Sequence, residues 1–201
     1  MLEFGIVISK GSAAFKSRLP EILEDAENEL PIPMRQSLFQ LWEFYAREEE
    51  QFEQIDRRLQ ALVAQDEQCQ GLMKLEGIGP ISATRFKLRL SQNHFKSGRM
   101  AAACIGVTPR QHSIGGKVIL GKINKVTYDK ALRSVLFLGS RAVVSKLKNR
   151  PAKTVKERWL KALIERCGFN RACIALVNKN VRTAHALLKN KTDYVAIPIA
   201  A

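Results

Sequence analysis

The sequence predicts a mainly α-helical chain: a long heptad-patterned helix, then a compact helical domain containing a helix-hairpin-helix and a glycine-rich loop or small hairpin. Three observations carry this expectation. Leu38, Leu41, Tyr45, Glu48, Phe52, Ile55, Leu59 and Leu62 step by three and four without a slip, an a/d seam with one charged interruption. Further along, an apolar stripe at helical spacing recurs through Leu132, Val135, Leu136, Gly139, Val143 and Leu147. The glycine-rich segment at 106–125 carries short β-prone runs around "KVIL".

The elements follow in order. "SRLPEILEDAENELPIP" predicts a short acidic helix from about Pro20 to Leu30, ended by Pro31 and Pro33. The heptad segment predicts a helix from Met34 to Gln65, about 48 Å long at 1.5 Å per residue. Its seam suits either a second subunit or the chain's own core. A helix ending near Leu75 then turns through Gly77–Gly79 and restarts at Pro80, where a missing N–H costs nothing. Another helix runs from Ser97 to Cys104, and a turn or small hairpin is expected at Gly115–Gly116. Helices over 128–148, 152–166 and 171–189 complete the chain, with Gly168 as a break and the tail "YVAIPIA" expected to fray.

Charge divides the chain more sharply than any linker. Residues 1–70 hold 7 Lys and Arg against 14 Asp and Glu, net −7. Residues 71–201 hold 26 against 5, net +21. This places an acidic helical connector over 1–70 and a basic domain over 71–201, with the hairpin motif near 72–90, the glycine-rich loop at 106–125 and the C-terminal helices at 128–189. A domain this basic implies a polyanionic partner, and nucleic acid is the general one. A membrane surface fits poorly, because the cations do not line one amphipathic helix. No apolar run is long enough to span a bilayer, and the N-terminus has no basic stretch ahead of an apolar one. Cys69, Cys104, Cys167 and Cys173 form no CxxC pair, so free thiols in a reducing cytoplasm are expected.

Two segments offer chemistry. In "LEGIGPISATRF", the residues Leu75, Gly77, Ile78, Gly79 and Ala83 fit the helix-hairpin-helix spacing, with Arg85, Lys87 and Arg89 just beyond. Backbone N–H groups at such a turn suit phosphate oxygens and read no base sequence. A tight αα-hairpin without a ligand is the alternative. In "GVTPRQHSIGGKVILGKINK", Ser113 stands among Arg110, Lys117, Lys122 and Lys125. A serine hydroxyl needs its proton taken or weakened to act as a nucleophile, and these cations would stabilise a pentacovalent phosphate. The alternative is a plain turn serine. His112 is adjacent in sequence, yet catalytic pairs are defined in space. Arg133 adds a further cation for nucleic acid. In the basic half, Glu76, Asp129, Glu157, Glu165 and Asp193 are too scattered for a two-metal nuclease centre.

Beyond these spacings, "LEGIGPISATRF", "FKSGRMAAACIGVTPRQHSIGGKVILGKINK", "LRSVLFLGSRAVV" and "NKNVRTAHALL" together resemble the C-terminal part of insertion-sequence transposases of family one-ten, subgroup eleven-eleven, with the related Piv/MooV DNA invertases. "PRQHSIGGK" and "NKNVRTAHALL" are its most specific segments. The resemblance covers most of the chain. It implies a bacterial mobile-element recombinase that cuts and rejoins DNA at a site chosen by a guide RNA. It implies a serine that attacks the phosphodiester, a helical connector that assembles a homo-oligomer through the helix at 34–65, and a RuvC-like half whose four acidic residues bind Mg²⁺. No cofactor is expected within this chain, because the RuvC-like half would precede Met1. Two further departures stand out. The family serine falls five residues after the proline, and counting from Pro109 that position is Ile114, with Ser113 one residue early. "INKVTYDKALR" occupies the place of a Lys-Arg-Gly turn. These departures leave two expectations: a strand-transferring fragment that uses Ser113, or a catalytically inactive remnant that binds nucleic acid or oligomerises.

Overall fold

The structure, a computed structural model, describes residues 2–92, 95–123 and 129–199. Among them are eight α-helices and one two-stranded sheet, so the chain is mainly helical. The residues form two compact units, Met1–Arg58 and Leu59–Ala201.

In the first unit a 3-10 turn at Leu2–Phe4 precedes α1 (Ser12–Glu24) and the start of α2 (Ile32–Ala64). The first helix therefore lies earlier than Pro20–Leu30. Pro20 sits inside it, so the helix runs through the one hydrogen bond that proline removes. Burial of Leu19 and Ile22 holds it, and Phe15 meets the rings of Trp42 and Tyr45 at 6.1 and 5.7 Å. The carbonyls at its C-terminal end are satisfied from α2, where the Arg35 guanidinium donates to Ile22 O, Leu23 O and Asp25 O. Pro31 and Pro33 begin α2 rather than end α1.

Along α2 the heptad seam is uneven. Leu38 and Tyr45 are half-buried, but Leu41, Phe52 and Ile55 are each more than 60% exposed. At the far end of α2, in the second unit, Leu59 packs against the core.

The second unit is built from α3 (Glu67–Met73), α4 (Pro80–Gln92), α5 (Gly98–Cys104), α6 (Lys130–Lys148), α7 (Val155–Cys167) and α8 (Phe169–Asn190). Side-chain caps set its helix starts: Asp66 accepts from Gln68 and Cys69 N–H, Ser97 from Met100, Asp129 from Leu132, and Thr154 from Glu157. One apolar cluster joins α3, α4 and α5 to the first half of α6 and the second half of α8, around Leu72, Phe86, Leu132 and Val181. A second joins α7 to the other halves of α6 and α8, around Val144, Leu160 and Leu176. Thus α6 and α8 run through both clusters. All four cysteines are free thiols, and burial pushes those of Cys69 and Cys173 above the usual range. No helix among the described residues is long and apolar enough to cross a membrane.

The C-terminal tail is docked, contrary to the expected fraying. Val155 N–H donates to Ile197 O, Ile199 N–H donates to Lys153 O, and Thr154 bridges Pro198. These bonds satisfy tail backbone that solvent would otherwise solvate, at the entrance to α7.

Candidate nucleic-acid interface

The turn between α3 and α4 is welded into the fold. Gly77 has φ +79°, and a Cβ there would sit 2.8 Å from the carbonyl oxygen of Gly139 on α6. The converse approach is closer, since a Cβ on Gly139 would lie 2.1 Å from Gly77 O. Only two glycines facing each other allow the turn to meet the helix backbone this closely. Ile78 is buried at 7% exposure, and its N–H donates to Leu75 O. Gly79 has open space around it.

A polar network locks the same turn. Lys156 on α7 donates to the Glu76 carboxylate and, at 2.7 Å, to Asn180 Oδ1. Asn180 Nδ2 donates to Glu76 O at 2.8 Å, and Tyr194 OH donates to Glu76 Oε1 at 3.1 Å. Burial pulls the Lys156 ammonium below its ordinary range, with Glu76 acting in the opposite sense. Burial, reinforced by the Glu76 charge, pushes the Tyr194 phenol up to about 12. Sequence inspection did not single out Lys156, Asn180 or Tyr194. They come together from three separated segments, so no local signal marks them.

The cations beyond the turn brace the fold. Arg85 reaches Asp129 at 3.4 Å, and Lys87 pairs with Asp66, whose carboxyl that contact holds below its usual range. Arg150 likewise pairs with Glu157 and holds it low, and Lys74 meets Asp193 at 2.7 Å. Five carboxylates of this unit are therefore engaged by cations. Among the described residues no group of three or more His, Cys, Asp or Glu is gathered for a metal.

The glycine-rich segment forms a β-hairpin. β1 (Pro109–Ile114) pairs antiparallel with β2 (Lys117–Ile123), and Ser113 lies opposite Val118. Gly115 and Gly116 make the two-residue turn with φ of +57° and +75°, the pair of positive values a tight hairpin needs. Strand alternation separates the two adjacent candidates. Ser113 shares a face with Gln111 and Leu120, whereas His112 points to the opposite face with Ile119, and Ile114 and Lys117 follow His112. The hairpin is solvent-exposed along β1 and most of β2. Its root is fixed: Val107 is buried, and its carbonyl accepts from Asn178 Nδ2 on α8 at 2.9 Å. Arg110 lies at the irregularity between Pro109 and Gln111, beside Gly121. Arg133 is half-buried on α6, and Lys125 lies outside the described residues.

A groove of about 1770 Å³ opens beside the hairpin. Its walls are α8, the start of α5, Trp159 of α7 and the hairpin residues Pro109 and Leu120–Ile123. Lys122 is the one sequence-predicted cation that lines it. The others are Arg99, Arg171, Lys179 and Arg182. Sequence reasoning passed over these four, although α8 carries a legible signal: it has no Asp or Glu along its length.

Residues 69–156, spanning α3 to the start of α7, match the family model described as Transposase IS116/IS110/IS902 family. The chain is 38% identical over 96% of its length to a Pseudomonas aeruginosa protein named "Probable family 20 transposase", covering 56% of that protein. It is 36% identical to the transposase for insertion sequence element IS1111A of Coxiella burnetii, covering 96% of this chain and 52% of that protein. It is 35% identical to the transposase for insertion sequence element IS1328 of Yersinia enterocolitica, covering 96% and 57%. The chain thus spans about half the length of the curated relatives it matches. On these matches, the chain belongs to the IS116/IS110/IS902 family of transposases.

Proposed function

We propose that this chain is the nucleic-acid-gripping part of a DNA recombinase for transposition, binding DNA and a guide RNA, with Ser113 as the nucleophile of strand exchange. In this reaction the Ser113 Oγ–P bond forms as one P–O ester bond of the DNA breaks. The serine proton ends on the released hydroxyl. Attack by another strand's hydroxyl reverses the step and rejoins the DNA. One phosphodiester replaces another at each stage, so no external energy source is needed. The observation that carries the reading is the position of Ser113. It is exposed on a hairpin whose root is pinned to α8, and it shares the hairpin face of Leu120, a groove-lining residue. The resemblance assigns Mg²⁺ to a RuvC-like half, outside these residues.

The test supplies the chain with a RuvC-like half and guide RNA in a strand-exchange assay. Ser113→Ala is expected to abolish exchange and the covalent protein–DNA adduct while DNA affinity is unchanged. Undiminished exchange by this variant would move the nucleophile elsewhere.

A second reading, an inactive binding or oligomerising remnant, is favoured by Ile114 at the family's serine position. It expects salt-sensitive binding and no adduct. Oligomerisation through the helix at 34–65 fits both readings, because Leu41, Phe52 and Ile55 leave an exposed apolar stripe on α2. Phe52→Glu with Ile55→Glu is expected to leave only monomer in sedimentation experiments. Leu59 is a poorer probe, since it packs on the second unit's core.

A further inference from the structure

Resting on the nucleic-acid reading above, we infer that the groove between α8 and the β-hairpin holds a single strand of polynucleotide, with phosphates on the α8 cations and bases against Trp159 and its apolar neighbours. Three features of the groove lead to this occupant.

The first is size. At about 1770 Å³ the groove exceeds the roughly 300–1,000 Å³ of ordinary small-molecule sites, so an extended ligand fits it better than a metabolite. The second is charge. Arg99, Lys122, Arg171, Lys179 and Arg182 line it, and no Asp or Glu does. The carboxylates that ion-pair elsewhere in this unit, such as Asp66, Glu76 and Asp129, are absent from its lining. Unlike Arg85 and Lys87, the α8 cations face the groove: exposed Arg171 and Arg182 share a helical stripe with half-buried Ile174 and Asn178, Lys179 lies beside it, and the opposite face of α8 is core.

The third feature separates a single strand from a duplex. A duplex offers phosphates outside and keeps base faces stacked within. A single strand exposes those faces, and apolar or aromatic side chains interleaved with cations match them. Ile174, Leu120, Pro109 and Ile123 supply apolar wall, and Trp159 supplies an aromatic one. Lys179 Nζ already lies 4.2 Å from the Trp159 ring centroid, so a cation and a stacking surface stand together. A duplex would gain the charge but leave the apolar wall unused.

The experiment uses the full chain carrying Trp42→Phe, which leaves Trp159 as the sole tryptophan. Its fluorescence is titrated with an oligothymidylate, an oligouridylate and a blunt duplex, with the anisotropy of labelled oligonucleotides followed in parallel. The inference expects saturable quenching by the single strands that exceeds quenching by the duplex. The relative strength of the two single strands then reports whether the groove takes DNA or RNA. Arg171→Gln with Lys179→Gln is expected to weaken single-strand binding roughly tenfold and to make the slope of log K on log salt shallower by about 1.4, at about 0.7 per lost phosphate contact. Should anisotropy show binding while Trp159 is silent and the double variant binds normally, the groove inference fails and the nucleic-acid reading survives. Equal or stronger quenching by the duplex overturns the single-strand assignment. No binding of any polymer at low salt overturns both readings.

Discussion

Two glycine turns in this chain look alike in sequence and behave oppositely in the fold. In the first, Gly77 is pressed against Gly139, followed by buried Ile78 and locked in place by Glu76, Lys156, Asn180 and Tyr194. Gly115–Gly116 closes a hairpin whose tip has nothing within 4 Å of either glycine's Cβ position. Both need glycine for positive φ, but only the first also needs it for space. The first turn therefore belongs to stability and holds a platform still. The second presents side chains, Ser113 among them, at little cost to the core.

This contrast can be broken by substitution, and the expected effects descend in order. Gly139→Ala forces a methyl to within 2.1 Å of a backbone carbonyl that cannot step aside. Overpacking of this kind is expected to cost about 3 kcal/mol in urea unfolding. A cost below about 1 kcal/mol would mean that α6 can retreat from the turn. Glu76→Gln leaves the buried Lys156 ammonium without its anion, with Asn180 Oδ1 still accepting. The expected loss is about 2 kcal/mol, with unfolding still cooperative.

Acid should act more gently, through Asp66 and Glu157. Both carboxyls are held below their ordinary values of 3.8 and 4.5. A lowered carboxyl pKa adds stability that is complete above those values and is lost as pH falls below them. Thermal melts should therefore hold steady down to about pH 4.5 and drop beneath it, and Glu157→Gln should flatten the drop. Smallest of all, Ser113→Ala and Gly115→Ala are expected to move global stability by no more than about 0.5 kcal/mol. The strain of a methyl at φ +57° falls on the hairpin alone, so hydrogen exchange of β1 and β2 should quicken while α6 and α8 stay protected. A global loss from Gly115→Ala would erase the contrast between the turns.

Much of the fold was readable from local signals. Helical periodicity places α5, α6 and α7 within about three residues. Gly115–Gly116 announced the hairpin. What escaped was non-local. Pro20 reads as a helix start, but α1 runs through it because Arg35 closes its C-terminal end from α2. The tail reads as frayed, yet Thr154 and Lys153 pair with it from over 40 residues away. Ser113 and His112 read as neighbours until strand geometry sends them to opposite faces. The groove draws on four elements, so only the acid-free stripe of α8 hinted at it.

Whether the basic unit grips nucleic acid is decided most directly by the salt dependence of the whole chain's affinity for single-stranded DNA. Counterion release from five groove cations predicts a slope of log K on log salt of about −3.5, at about −0.7 per contact. A flat dependence, or no binding at low salt, would contradict it.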